Sequence, residues 1–170
     1  MFTPPPLPPW EGAHTVIVHF PIALLLVAPL FVLLGLLPRV GRGLGLAALV
    51  LLALGTTAAY VAVEAGEDAA KLVVRSPDME PVLERHEELG EKIPLVYTVL
   101  TAVYAMILLV PGLLKKLGAL KKDLPRVVPV VAQIGVWIAL LITSLVLANV
   151  GHLGGQLVHR FGVQAWIGGS

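Results

Sequence analysis

The 170-residue chain contains no cysteine, which excludes disulfides, thiolate metal sites and covalent haem attachment through C-x-x-C-H. Charge is scarce: charged residues make up 14% of the chain, against about 25% in a soluble domain. Aromatics are few, at 6%. The formal net charge is only +1, so no basic excess exists to hold nucleic acid. Phosphate-binding glycine loops, Ser-His-Asp arrangements and H-E-x-x-H spacing are missing too. What fills the chain is apolar: 57% of residues, with a mean hydropathy of +0.89. This composition reads as an integral membrane protein whose first partner is the lipid bilayer. The length leaves room for one membrane domain and no separate soluble domain.

Runs without Asp, Glu, Lys or Arg locate the crossings. They lie between Glu11 and Arg39, over 43–63, over 93–114 and over 127–159. A crossing needs about 20 apolar residues, so each run is long enough for one and too short for two. The expected fold is an all-α four-helix bundle, up-down-up-down, with spans near 16–37, 43–63, 93–114 and 127–150. Helices follow because every backbone polar group in lipid must be satisfied within its own segment. The membrane domain is expected over 13–164. A Pro-rich lead-in over 1–12 and a tail over 165–170 flank it. The start MFTPPPLPPWEG has no positive charge and no small-residue cleavage site, so it does not read as a signal peptide. Trp10 is expected to anchor at the interface.

Lysine and arginine set the orientation. The two short loops hold Arg39, Arg42, Lys115, Lys116, Lys121, Lys122 and Arg126, with Asp123 as their one acid. The other side carries the remaining acids, at Glu11 and in the 64–92 loop. The positive-inside rule then places both termini outside the bacterial inner membrane.

All five histidines fall at the outer ends of the spans: His14 and His19 on the first, His86 before the third, His152 and His159 after the fourth. In the 64–92 loop, Ser76-Pro77 reads as a helix start. From there Met79, Val82, Leu83, His86, Leu89 and Ile93 form one apolar stripe, which predicts an amphipathic helix near 77–92 running into span three. His86 in that stripe is expected to face protein. His19, at the head of an apolar run, is expected to face the bundle interior, because an imidazole toward lipid would be unpaired. His14 and His19 are five positions apart, about 140° around a helix, so they form no i,i+4 chelate. Gly151, Gly154 and Gly155 put the continuation of helix four to His159 in doubt. The Gly151-x-x-x-Gly155 spacing predicts close helix contact there. Tyr97 and Tyr104, seven apart, share a face of helix three, and line either a cavity or ordinary core.

The segment His14-Thr15-Val16-Ile17-Val18-His19-Phe20-Pro21-Ile22-Ala23, the histidine before span three and the end Gly154-Gly155-Gln156-Leu157-Val158 resemble the bacterial membrane family called domain of unknown function 2231. The resemblance covers about residues 12–164. Thr15 stands where that family usually has proline, His152 stands where an aromatic is common, and His159-Arg160-Phe161-Gly162 displaces a histidine of the family pattern. His14, His19 and His86 therefore carry over by position. The family's layout is similar to that of small membrane cytochromes.

Three functions follow as expectations. The first is electron transfer by a haem b held between His19 and His86. These lie at one depth on diagonal helices, with His14 and His152 supporting, and quinol or a periplasmic redox protein is the partner. The second is a zinc-like site of histidines with Glu64, Glu67 or Asp68. The third is a structural or assembly subunit without cofactor. The chain reads as a carrier or subunit rather than a stand-alone catalyst.

Overall fold

The computed structural model describes residues 8–120 and 125–163. The expected lead-in up to residue 7, the basic residues Lys121 and Lys122 with Asp123, and the 165–170 tail lie outside the described residues. Five helices make up the fold: α1 (Trp10–Ile17), α2 (His19–Leu34), α3 (Gly41–Ala70), α4 (Glu80–Lys116) and α5 (Val127–His159). α1 and α2 together form one crossing, Gly12–Leu34. With α3, α4 and α5 this gives four helices long and apolar enough to span a membrane.

The first crossing breaks at Val18 for a local reason. Pro21 has no N–H to offer the carbonyl of Ile17, while Val18 N–H still bonds to the carbonyl of His14 at 3.0 Å. Pro9, at φ −59° and ψ 164°, holds the chain extended just before α1. The helix thus starts at Trp10 and takes in the last three residues of the stretch expected to be lead-in.

Helix packing closes a ring. α2 lies against α3, α3 against α4, α4 against α5 and α5 against α2, while no Cα pair within 8 Å joins α2 to α4 or α3 to α5. This is the expected up-down-up-down bundle, with alternate helices facing each other across its axis. The core is built of Leu25, Val32, Leu52, Tyr97, Tyr104 and Leu140, each fully buried, with alanines where backbones approach. Both tyrosines are core: the Tyr97 hydroxyl lies 3.3 Å from Ser144 Oγ, and the Tyr104 hydroxyl is buried without a partner among the described residues. The outside is a belt of exposed aliphatics such as Leu30, Leu54, Val99 and Leu145, an apolar surface far larger than a water-soluble monomer presents.

Two helix lengths differ from expectation. α4 starts as an α-helix at Glu80, not at Pro77, because residues 77–79 form a turn in which Met79 and Glu80 N–H both bond to the carbonyl of Ser76. From Glu80 it runs unbroken to Lys116 through Pro94. The expected stripe holds, with Met79, Leu83 and Ile93 buried and His86 half-buried. α5 runs through its glycines to His159. Each glycine costs about 1 kcal/mol against alanine in a helix interior, and tertiary packing offsets this: Leu157 is buried against Met79 and Leu83 in a second small core that closes this end of the bundle.

The two halves of the bundle repeat each other. His14, Pro21, Leu25 and Val32 recur 72 positions on as His86, Ile93, Tyr97 and Tyr104. Leu52, Gly55, Ala59 and Gly66 of α3 recur 88 positions on as Leu140, Thr143, Leu147 and Gly154 of α5. Apart from the half-buried histidines and the two last glycines, every one of these residues is buried in both copies. The fold is a pair of like helical hairpins, each bringing one histidine to the same end.

Candidate functional site

The site is built where α1, α3, α4 and α5 meet at the histidine end. On α1, Trp10 Nε1–H donates to Asp68 Oδ2 at 3.1 Å and ties the helix to the last turns of α3. One turn further along α1, His14 Nδ1–H donates to the carbonyl of Ala62 at 2.7 Å. The ring fits there because the residue four positions after Ala62 is Gly66. A Cβ on Gly66 would come within 2.8 Å of His14 Cε1 and Nδ1.

The other hairpin repeats the device. His86 Nδ1–H donates to the carbonyl of Val150 at 3.0 Å, and four positions after Val150 stands Gly154, whose Cβ would lie 3.2 Å from His86 Cε1. The two imidazoles face each other edge to face, with centroids 6.3 Å apart and planes at 89°. Because a carbonyl only accepts, both rings carry their proton on Nδ1 when neutral, which leaves each Nε2 lone pair free for a ligand.

The pair differs from the one expected. His86 faces protein as its stripe implied, but its partner is His14, and His19 is exposed at the head of α2. The physical reason is the rotation of about 140° between positions five apart. The break at Val18 is too slight to cancel it, so only one of the two can point inward. His152 is exposed on α5 and accepts a hydrogen bond from the Gln156 side-chain amide at 2.8 Å. His152 and His159 line a shallow outer depression of about 380 Å³ with Gly155, Gln156 and Arg160, away from the pair. The glycine contact expected at Gly151 and Gly155 falls on Gly154 instead. A Cβ on Gly151 would touch only Ile22 Cδ1, at 3.9 Å, and one on Gly155 would touch nothing.

The acids do not join the histidines. Glu64 and Glu67 are exposed, and Asp68 binds Trp10 and Lys71. Among the described residues no three of His, Asp and Glu gather as a metal cage. Some of the acids are held in ion pairs: Glu80 with Arg75 at 2.6 Å, and Glu88 with both Arg85 and Lys92 at 2.6 Å. Hydrogen bonding and charge from Asp68 raise the pKa of Lys71, and those from Glu80 raise that of Arg75. Acids outnumber bases at this end, but none of them reaches the imidazole pair.

Sequence reasoning missed Ala62, Gly66, Val150 and Gly154, the seats of the two rings. The signal was present as the recurrence of His14 at His86 and of Gly66 at Gly154, each helix with its own offset. Comparison with curated proteins and with solved structures finds no match. Over residues 11–166 the chain matches the family described as predicted membrane protein (DUF2231), and this four-helix integral membrane protein belongs to that family.

Proposed function

We propose that this protein is a b-type haem-binding electron-transfer subunit of the bacterial cytoplasmic membrane, with His14 and His86 as the axial ligands. The observation that carries the reading is the spacing of the two rings. Two imidazoles bound to one metal ion at about 2.0–2.1 Å each would place their centroids about 6 Å apart, and here they are 6.3 Å apart, so binding needs the ring that presents its face to turn its Nε2 into the gap, with no change in spacing. The donor set suits the group. A haem needs only two protein ligands, because the macrocycle supplies the rest, whereas a bare zinc site takes three or four. When bound, the haem supplies one-electron redox chemistry.

The chain's own residues do the remaining work. The Nδ1–H bonds to Ala62 and Val150 fix the tautomer of each ring and make Nε2 a stronger donor. Gly66 and Gly154 let the rings approach α3 and α5 closely. Ile93 and Tyr97, buried beneath His86 on α4, exclude water from the bundle. The basic loops support a topology with both termini outside, which puts the pair at the periplasmic face, within reach of quinol or a periplasmic redox protein.

The test is the optical spectrum of the full chain purified from haem-replete membranes. A Soret band with a reduced-minus-oxidised α-band is the expected result. A colourless protein favours the second reading, a cofactor-free assembly subunit. The same two hydrogen bonds support that reading, since each already clamps one helix to the next.

A further inference from the structure

At the opposite end of the bundle, the first turns of α3 and the last turns of α4 leave a groove between them. Its volume is about 300 Å³, and it is lined by Arg42, Leu46, Leu108, Leu109, Gly112, Leu113 and Lys116. We propose that this groove binds an anionic glycerophospholipid, with Arg42 and Lys116 on the headgroup phosphate and an acyl chain along the leucines. The site is separate from the histidine pair, and the proposal stands without the haem reading.

Three features carry it. The first is charge. Arg42 and Lys116 come from different helices, reach the groove at the same end of the bundle, and have no ion-pair partner among the described residues. The second is shape. A Cβ on Gly112 would meet nothing within 4 Å, so the missing side chain opens a notch in the α4 wall between Leu108 and Lys116. The third is depth. Leu108 is eight residues from Lys116, about 12 Å along the helix at 1.5 Å per residue. The leucine wall therefore descends from the charged rim into the hydrocarbon. A free phosphate would use only the rim. A partner helix would need a longer apolar strip than one side of a 300 Å³ groove supplies. A diacyl lipid uses both parts, with one chain in the groove and the other in the bilayer. Basic pockets between transmembrane helices suit such headgroups, and a zwitterionic choline headgroup brings its own cation against Arg42 and Lys116.

The experiment is native mass spectrometry of the full chain released from vesicles of equal phosphatidylglycerol and phosphatidylcholine. The expected result is retention of one phosphatidylglycerol, favoured by about thirtyfold, as two basic contacts imply. Arg42→Gln with Lys116→Gln should abolish the preference. Gly112→Leu should displace the lipid by filling the notch, with helicity and melting temperature unchanged. Excess inorganic phosphate should leave the lipid bound. Equal retention of both lipids by the native chain, undiminished phosphatidylglycerol on the folded Gly112→Leu protein and on the double variant, or displacement by inorganic phosphate would each overturn the proposal.

Discussion

His14 and His86 meet edge to face with ring centroids 6.3 Å apart, although they lie 72 positions apart and on helices that face each other across the bundle. Each ring is held the same way, by a hydrogen bond to a backbone carbonyl four residues before a glycine. The glycines are therefore part of the site as much as the histidines are.

This gives a first prediction. Gly66→Ala would place a Cβ 2.8 Å from a ring that its own hydrogen bond holds in place. The cost of such overpacking is about 1–3 kcal/mol, to be read as a lowered melting temperature in detergent. Gly90, inside α4, has nothing within 4 Å of its Cβ position. Gly90→Ala should be neutral or stabilising by up to about 1 kcal/mol, because it removes only the entropic cost of glycine. Equal effects at the two positions would show that the His14 seat is not a tight one.

Tyr104 makes a second case. Its hydroxyl is buried without a hydrogen-bond partner among the described residues, and it sits against Gly45, whose Cβ position lies 3.1 Å away. A buried unsatisfied polar group costs about 1–3 kcal/mol. Tyr104→Phe should therefore raise the melting temperature, whereas Tyr97→Phe, which gives up a hydroxyl contact to Ser144, should not. A lower melting temperature for Tyr104→Phe would mean that the hydroxyl has a partner in the membrane-embedded protein.

Much of this fold was legible in the sequence, because membrane helices obey a single strong rule. Charge-free runs found all four crossings, and the stripe through Met79, Leu83, His86 and Ile93 put His86 on the inward face of a helix continuous with span three. The choice between His14 and His19 was not legible. It depends on helix rotation at the Val18 break, and both residues sit where lipid gives way to water. The reading of Gly151, Gly154 and Gly155 as helix-breakers failed because local propensity was outweighed by packing: Gly154 is small so that His86 can reach the Val150 carbonyl. The carbonyls of Ala62 and Val150 that hold the rings carry no side-chain signature, so residue types alone do not reveal them.

Orientation has its own test, made simple by the absence of cysteine. Val40 and Leu117 are exposed in or beside the two basic loops, and Val74 is 93% exposed in the acidic one. In spheroplasts, a membrane-impermeant maleimide should label Val74→Cys and spare Val40→Cys and Leu117→Cys. The reverse pattern would put the histidine pair on the cytoplasmic side and remove the periplasmic partner from the proposal.

The most direct measurement of the central claim is haem content in three single variants purified side by side from haem-replete membranes. His14→Ala and His86→Ala should each lose the Soret band, and His19→Ala, altering an exposed side chain outside the pair, should keep it. Full haem retention in His14→Ala together with loss in His19→Ala would contradict the account and restore the pairing of His19 with His86.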